Sequence, residues 1–113
     1  MALQYSNITG NSAQVLIAKR HVRDDLTGKI DRTFDAYNIR NIHLANIHAT
    51  DSVKVKLYIY DATLGTFSIL NNVKIPNGAT LVLDNSDVSF NNLDYELKIQ
   101  LSAADSAVDV TIR

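Results

Sequence analysis

Hydrophobic and polar residues alternate most regularly between residues 53 and 60. This stretch reads VKVKLYIY, so aliphatic residues hold the odd positions, and lysines or tyrosines hold the even positions. Successive side chains of an extended backbone point to opposite faces, whereas a helix would spread the four aliphatic residues around its circumference. The pattern predicts a β-strand with one apolar face, which a second sheet must cover.

Further strands are predicted along the rest of the chain, at intervals of about ten residues. The apolar or alternating segments are 13–19, 42–47, 66–70, 73–75, 80–83, 88–90, 95–101 and 108–112. Asn, Asp and Gly separate these segments, and Pro76-Asn77-Gly78 has the residues of a tight turn. Strands at this spacing predict an all-β fold, an antiparallel and jelly-roll-like β-sandwich of about eight strands.

The 113 residues are enough for one domain, so residues 1–113 are predicted to form a single β-sandwich. The mostly polar residues 1–12 fit either a short strand or a loose N-terminal arm. Residues 19–33 are the most charged part of the chain and are predicted to form a hairpin that turns near Gly28. A second hairpin is predicted from Ile42 to Tyr60.

Composition narrows the possible functions. The chain has 11 basic and 12 acidic residues, a formal net charge of -1, so no global field attracts nucleic acid or an anionic membrane. Cysteine is absent, which excludes disulfides, thiolate metal ligands and a thiol nucleophile. The sequence also lacks a signal-peptide pattern and a run of about 18 apolar residues. We therefore expect a soluble protein that is made in a cytoplasm, with neither membrane nor nucleic acid as partner.

Motifs for catalysis or cofactor binding are weak. His43 and His48 are five residues apart, and no acidic pair has the spacing that zinc or iron sites usually show, while His21 lies in the charged segment. The run from Asp84 to Asp87 lacks the spaced ligands of a calcium loop and is better explained as a turn. We find neither a nucleophile motif nor a Gly-rich phosphate loop. The sequence predicts a protein that is not an enzyme and has no cofactor.

Two groups of residues are candidates for protein contacts. Tyr58 and Tyr60 share the polar side of the central strand, and tyrosine is common at interfaces because it offers a large area and a hydroxyl group. These tyrosines could instead bind carbohydrate. Arg20, Arg23, Asp24 and Asp25 lie in the charged hairpin, where the aspartates cancel much of the charge that nucleic acid would need. We interpret the hairpin as a solvated or intersubunit surface.

Two segments of the chain resemble a known class of protein. They read IHLANIHATDSVKVKLYIYD in residues 42–61 and FSILNNVKIPNGATLVLDNSDVSFNNLDYELKIQLS in residues 67–102. Together they look like small β-sandwich virion proteins of tailed bacteriophages, especially contractile-tailed phages of marine cyanobacteria. The strand end LYIYD, the turn VKIPNG and the strand YELKI carry this resemblance.

The resemblance implies a structural protein of the virion that is made in the host cytoplasm. The preferred role is that of a capsid decoration or stabilising subunit, which assembles with itself as a homo-oligomer and contacts the major capsid protein. The alternative is a tail, neck or fibre component, with a receptor- or glycan-binding role. Many copies on a symmetric particle would add their individual weak contacts together.

Overall fold

The computed structural model describes residues 3–20 and 34–113, and within them the chain forms eight strands and two short helical segments. The strands are β1 (Gln4–Thr9), β2 (Gln14–Ile17), β3 (Asn41–Asn46), β4 (Val53–Asp61), β5 (Gly65–Ile75), β6 (Thr80–Asp84), β7 (Glu96–Leu101) and β8 (Ala107–Ile112). A 3-10 turn covers Ala36–Asn38, and the helix α1 covers Asn85–Val88. No helix in this part of the chain has the length and apolar character needed to cross a membrane.

The strands form two antiparallel sheets of four. The strand order is β1-β8-β3-β6 in the first sheet, sheet A, and β2-β7-β4-β5 in the second, sheet B. Consecutive strands therefore lie mostly in different sheets, and the first and last strands are neighbours. This is the order of a jelly roll, a double-sheet arrangement of two Greek keys. The predicted all-β, antiparallel, jelly-roll-like sandwich is confirmed.

The core lies between the two sheets and is built from the alternating aliphatic residues. On β4, Val53, Val55 and Leu57 are buried, while Lys54 and Lys56 are exposed. Strands β3, β7 and β8 show the same alternation of buried and more exposed positions. One apolar face per strand is what a two-layer fold requires, because each sheet can bury only the face that meets the other sheet.

The predicted hairpin from Ile42 to Tyr60 is wrong. Strand β3 pairs with β6 and β8 in sheet A, whereas β4 pairs with β5 and β7 in sheet B. Residues 47–52 thus cross from one sheet to the other over the end of the core. The alternating pattern identifies which face of each strand is buried, but two strands in opposite sheets bury their faces equally well.

Two shorter segments also differ from their predictions. The run from Asp84 to Asp87 is not a simple turn, because Asp84 caps helix α1 by accepting a hydrogen bond from the Ser86 amide at 3.1 Å. The segment 88–90, predicted as a short strand, begins with the last residue of this helix and joins no sheet. It nevertheless contributes Val88 and Phe90 to the core. Burial alone therefore explains its apolar residues.

Half of the candidate N-terminal arm, residues 1–12, belongs to the sandwich as a strand. Gln4–Thr9 form β1, which pairs with β8 along six residues at the edge of sheet A. The predicted charged hairpin, residues 19–33, lies outside the described residues except for Lys19 and Arg20.

Candidate functional site

The outer face of sheet B carries a groove that runs along its two central strands, β4 and β7. The pairing of these strands places Lys56 opposite Gln100 and Tyr58 opposite Lys98, all on the side away from the core. The intervening residues, such as Leu57 and Ile99, are fully buried against sheet A. Burial of these neighbours fixes the strands, so the outward side chains stand on a rigid floor.

Two adjoining depressions make up the groove, with volumes of about 270 and about 450 Å³. Lys56 and Gln100 line both depressions, which makes the groove continuous. The larger depression includes Tyr58 and Tyr60, together with polar residues of β5. The smaller one extends past Lys54 to the connection between β1 and β2. The side chain of Gln100 donates a hydrogen bond to the Asn11 carbonyl at 3.1 Å, which ties this connection to the groove floor.

The structure brings the two candidate tyrosines together. Tyr58 and Tyr60 are half-buried and line the same depression, as their spacing on β4 predicts. The ammonium nitrogen of Lys98 lies over the Tyr60 ring, 4.8 Å from its centre, so this lysine is attracted to the electron-rich ring face. One face of the Tyr60 ring is therefore already in contact with a cation.

Positive charge is concentrated on this face of sheet B. Lys54, Lys56 and Lys98 line the groove, and Lys74 on β5 lies directly opposite Lys54. In the described part of the chain, no carboxylate side chain lines the groove and none of these four lysines forms an ion pair. The nearest acidic position on β7 is Glu96, which pairs with Tyr60 at the end of the groove. A local basic surface thus exists although the net charge of the chain is -1.

Arg20 is the other candidate contact residue that the structure describes, and it does not line this groove. Arg20 Nη2 lies 3.6 Å from Asp35 Oδ2, and its backbone amide donates to the carbonyl of Asn92. Arg20 is thereby held at the end of the sandwich where residues 34–36 meet the segment before β7. Arg23, Asp24 and Asp25 lie outside the described residues.

An ion pair between Lys19 and Asp61 connects the segment after β2 to the end of β4. The hydrogen bond from Lys19 and those from the backbone amides of Leu64 and Thr63 lower the pKa of Asp61 to about 2. The same contact raises the pKa of Lys19. Both residues are therefore charged at neutral pH, and Asp61 also organises the turn between β4 and β5.

One cluster among the described residues combines an imidazole with two carboxylates, at the end of the sandwich formed by the β3–β4 and β7–β8 connections. His48 Nε2 lies 3.0 Å from Asp105 Oδ2 and 4.0 Å from Asp51 Oδ2. His48 Nδ1 accepts hydrogen bonds from the backbone amides of Thr50 and Asp51 at 3.1 and 2.9 Å. This arrangement places the proton on Nε2, which then donates to Asp105 and has no lone pair for a metal ion. The cluster is explained as a support for the loop.

Sequence reasoning missed the contribution of β7 to the site. The alternation of 95–101 identified a strand but not its neighbour, so Lys98 and Gln100 could not be assigned to the same surface as Tyr58. The available signal was the polar side of that alternation, which carries Glu96, Lys98 and Gln100. Comparison with known proteins adds no further assignment: no family model matches the sequence, and a search of curated proteins finds no significant match.

Proposed function

We propose that this protein is a structural subunit of a bacteriophage particle, and specifically a subunit that decorates or stabilises the capsid. The observation that carries this proposal is the strand order β1-β8-β3-β6 and β2-β7-β4-β5. Jelly rolls with this double-sheet arrangement occur in viral capsid domains, in lectin domains and in cupins. The order agrees with the resemblance of residues 42–102 to small phage virion proteins.

A fold alone hosts many functions, so the surfaces must also suit the role. The groove is lined by lysine, tyrosine and amide side chains, and within the described residues it contains neither histidine nor carboxylate, the groups most used in general acid–base catalysis. Such a surface is suited to binding. A small subunit present in many copies needs only modest affinity at each contact, because a repeating particle multiplies the contacts.

Self-association is part of the proposal, and β5 is the element that favours it. Among residues 3–20 and 34–113 it forms an edge of sheet B with no strand beyond it, and it has 11 residues, against six or fewer in each of the other three edge strands, β1, β2 and β6. Unpaired backbone groups on a long edge can pair with a strand of a second copy. Leu64 and Phe67 add exposed apolar surface there.

Mass spectrometry of purified particles tests the proposal directly. We expect the chain in particles of the phage that encodes it, at a stoichiometry comparable to that of the major capsid protein. Particles of a phage from which the gene has been deleted should bind the purified protein. With the protein bound, they should release their DNA only at a higher temperature. Absence of the chain from intact particles would overturn the proposal.

A second candidate function is a tail, neck or fibre component that binds a receptor or glycan. The groove favours it, because Tyr58 and Tyr60 stand beside amide and hydroxyl side chains in one open depression. Tyr58→Ala with Tyr60→Ala separates the two candidates. The double variant should reduce adsorption to the host if the protein is an adsorption module, and should leave adsorption unchanged if it decorates the capsid.

A further inference from the structure

The lysines of the groove are arranged in a way that favours an anionic ligand. Lys54 and Lys74 face each other directly across β4 and β5, and like charges in that position destabilise a sheet. Lys56 and Lys98 extend the positive charge along the two central strands. A bound anion would offset this repulsion, and the groove residues of the described chain supply no carboxylate to do so.

The rest of the lining consists of neutral hydrogen-bonding groups. Amides come from both ends of the groove, with Asn11 and Asn72 in the smaller depression and Asn71 in the larger one. An amide side chain donates through its NH2 group and accepts through its oxygen, and a tyrosine hydroxyl can likewise donate and accept. Neighbouring hydroxyls of a sugar also donate and accept. The lining therefore matches a ligand with many hydroxyl groups as well as negative charge.

Two features disfavour other polyanions. The floor strands β4 and β7 are paired on both sides, so they have no free backbone edge with which an acidic peptide could form strand pairing. Single-stranded nucleic acid relies on bases that stack on open aromatic faces. Lys98 already covers one face of Tyr60, which leaves the tyrosines better suited to offer hydroxyl groups than stacking surfaces.

We infer that the groove of sheet B binds an acidic saccharide chain. Its carboxylate or sulfate groups contact Lys54, Lys56 and Lys98, and its hydroxyls contact Gln100 and Tyr58. This inference rests on the second candidate function, glycan binding, and adds the chemical class of the glycan. It does not depend on where the protein sits in a particle.

Calorimetric titration of the purified full-length protein tests this inference, with four polymers as probes. Polygalacturonate supplies carboxylates, dextran sulfate supplies sulfates, and unmodified dextran supplies hydroxyls alone. Oligo(dT) represents nucleic acid. We expect binding to one or both acidic polysaccharides, and at most weak binding to dextran and oligo(dT). Polygalacturonate or dextran sulfate, whichever binds more tightly, identifies the preferred anionic group.

Matched variants locate the site. Lys56→Gln and Lys98→Gln should each weaken binding about tenfold, as expected for the loss of one charge-assisted contact. Tyr58→Phe removes only the hydroxyl and should weaken binding by a smaller factor. The control is Arg40→Gln, which removes a positive charge just before β3, outside the groove. Thermal unfolding checks that each variant remains folded.

The results distinguish a failure of glycan binding from a failure of the inference that the glycan is acidic. Failure to bind any of the three polysaccharides overturns both glycan binding and the inference. Equal affinity for dextran, polygalacturonate and dextran sulfate would be consistent with glycan binding, but would overturn the inference that the glycan is acidic. Tighter binding to oligo(dT), or an equal loss of affinity in Arg40→Gln and Lys56→Gln, also overturns the inference, because the attraction would then be to another polymer or to charge in general.

Discussion

Asn46 is a buried polar residue that holds three backbone segments together. The residue is 2% exposed, and its side chain donates to the carbonyls of Asp51 and Ile75 at 2.9 and 3.0 Å and accepts from the His48 amide at 3.0 Å. The loop that crosses between the sheets is thereby tied to the end of β5. A buried polar group that loses its partner is costly, so this one side chain stabilises two connections.

We predict that Asn46→Ala lowers the free energy of unfolding by about 2–4 kcal/mol, because it leaves backbone groups near the core without partners. Denaturant unfolding followed by circular dichroism measures this change. The matched control is Asn7→Ala, which removes an exposed hydrogen bond to Asp109 on sheet A and should cost less than about 1 kcal/mol. Equal losses in the two variants would contradict the role assigned to Asn46.

The ion pair of Lys19 and Asp61 predicts how stability changes in acid. Folding lowers the pKa of Asp61 from 3.8 to about 2, so the carboxylate stabilises the folded state above pH 3.8. That contribution is lost as the pH falls through about 2. The free-energy difference between wild type and Asp61→Asn should therefore be largest at pH 5–6 and shrink toward pH 2.

Denaturant unfolding at several pH values checks this prediction. Asp109→Asn serves as the control, because Asp109 is an exposed aspartate on sheet A. Lys19→Gln should remove much of the same pH-dependent stability, since Lys19 makes the largest contribution to lowering the pKa of Asp61. A difference for Asp61→Asn that stays constant from pH 6 to pH 2 would contradict the assignment.

At the scale of elements, two turns contain glycines whose backbone φ angles differ. Gly65, at the start of β5, has a φ of 110°, outside the left-handed helical region that other residues can reach. Gly78, in the turn before β6, has a φ of 75° near that region, which asparagine tolerates. The two positions therefore differ in backbone strain. A Cβ would not clash at either position.

We predict that Gly65→Asn lowers the free energy of unfolding by about 1–3 kcal/mol, because asparagine must adopt a strained backbone there. Gly78→Asn introduces the same side chain and should cost less than about 1 kcal/mol. Denaturant unfolding of the two variants measures the contrast. A larger loss at Gly78 would show that the turn conformations assigned here are wrong.

The elements also show how far the sequence could predict the fold. Alternation identified β4, β7 and β8, because each buries one face and exposes the other. Alternation does not show which strands pair, and the predicted hairpin of β3 and β4 is wrong because the two strands lie in opposite sheets. Asn72, with a φ of 55°, interrupts the pattern of β5 but not the strand, because it lies where the pairing with β4 shifts register.

At the scale of the whole molecule, the candidate site could be predicted only in part. The shared position of Tyr58 and Tyr60 follows from the period of one strand. The groove also requires β7, which is about 40 residues away in sequence and becomes a neighbour of β4 only through the jelly-roll topology. The net charge of -1 likewise conceals a basic face, because no acidic residue of the described ranges lines the groove.

The same topology leaves β5 as the longest free edge of the described strands, and this predicts how two copies associate. Phe67 on β5 is 53% exposed, and a lysine there would place a charge on the edge. We predict that the wild type self-associates in sedimentation velocity, and that Phe67→Lys raises the dissociation constant at least about tenfold.

Val82→Lys is the control, because Val82 is 52% exposed on β6, an edge of sheet A. A wild type that stays monomeric at millimolar concentration, or equal effects of both substitutions, would exclude β5 as the contact.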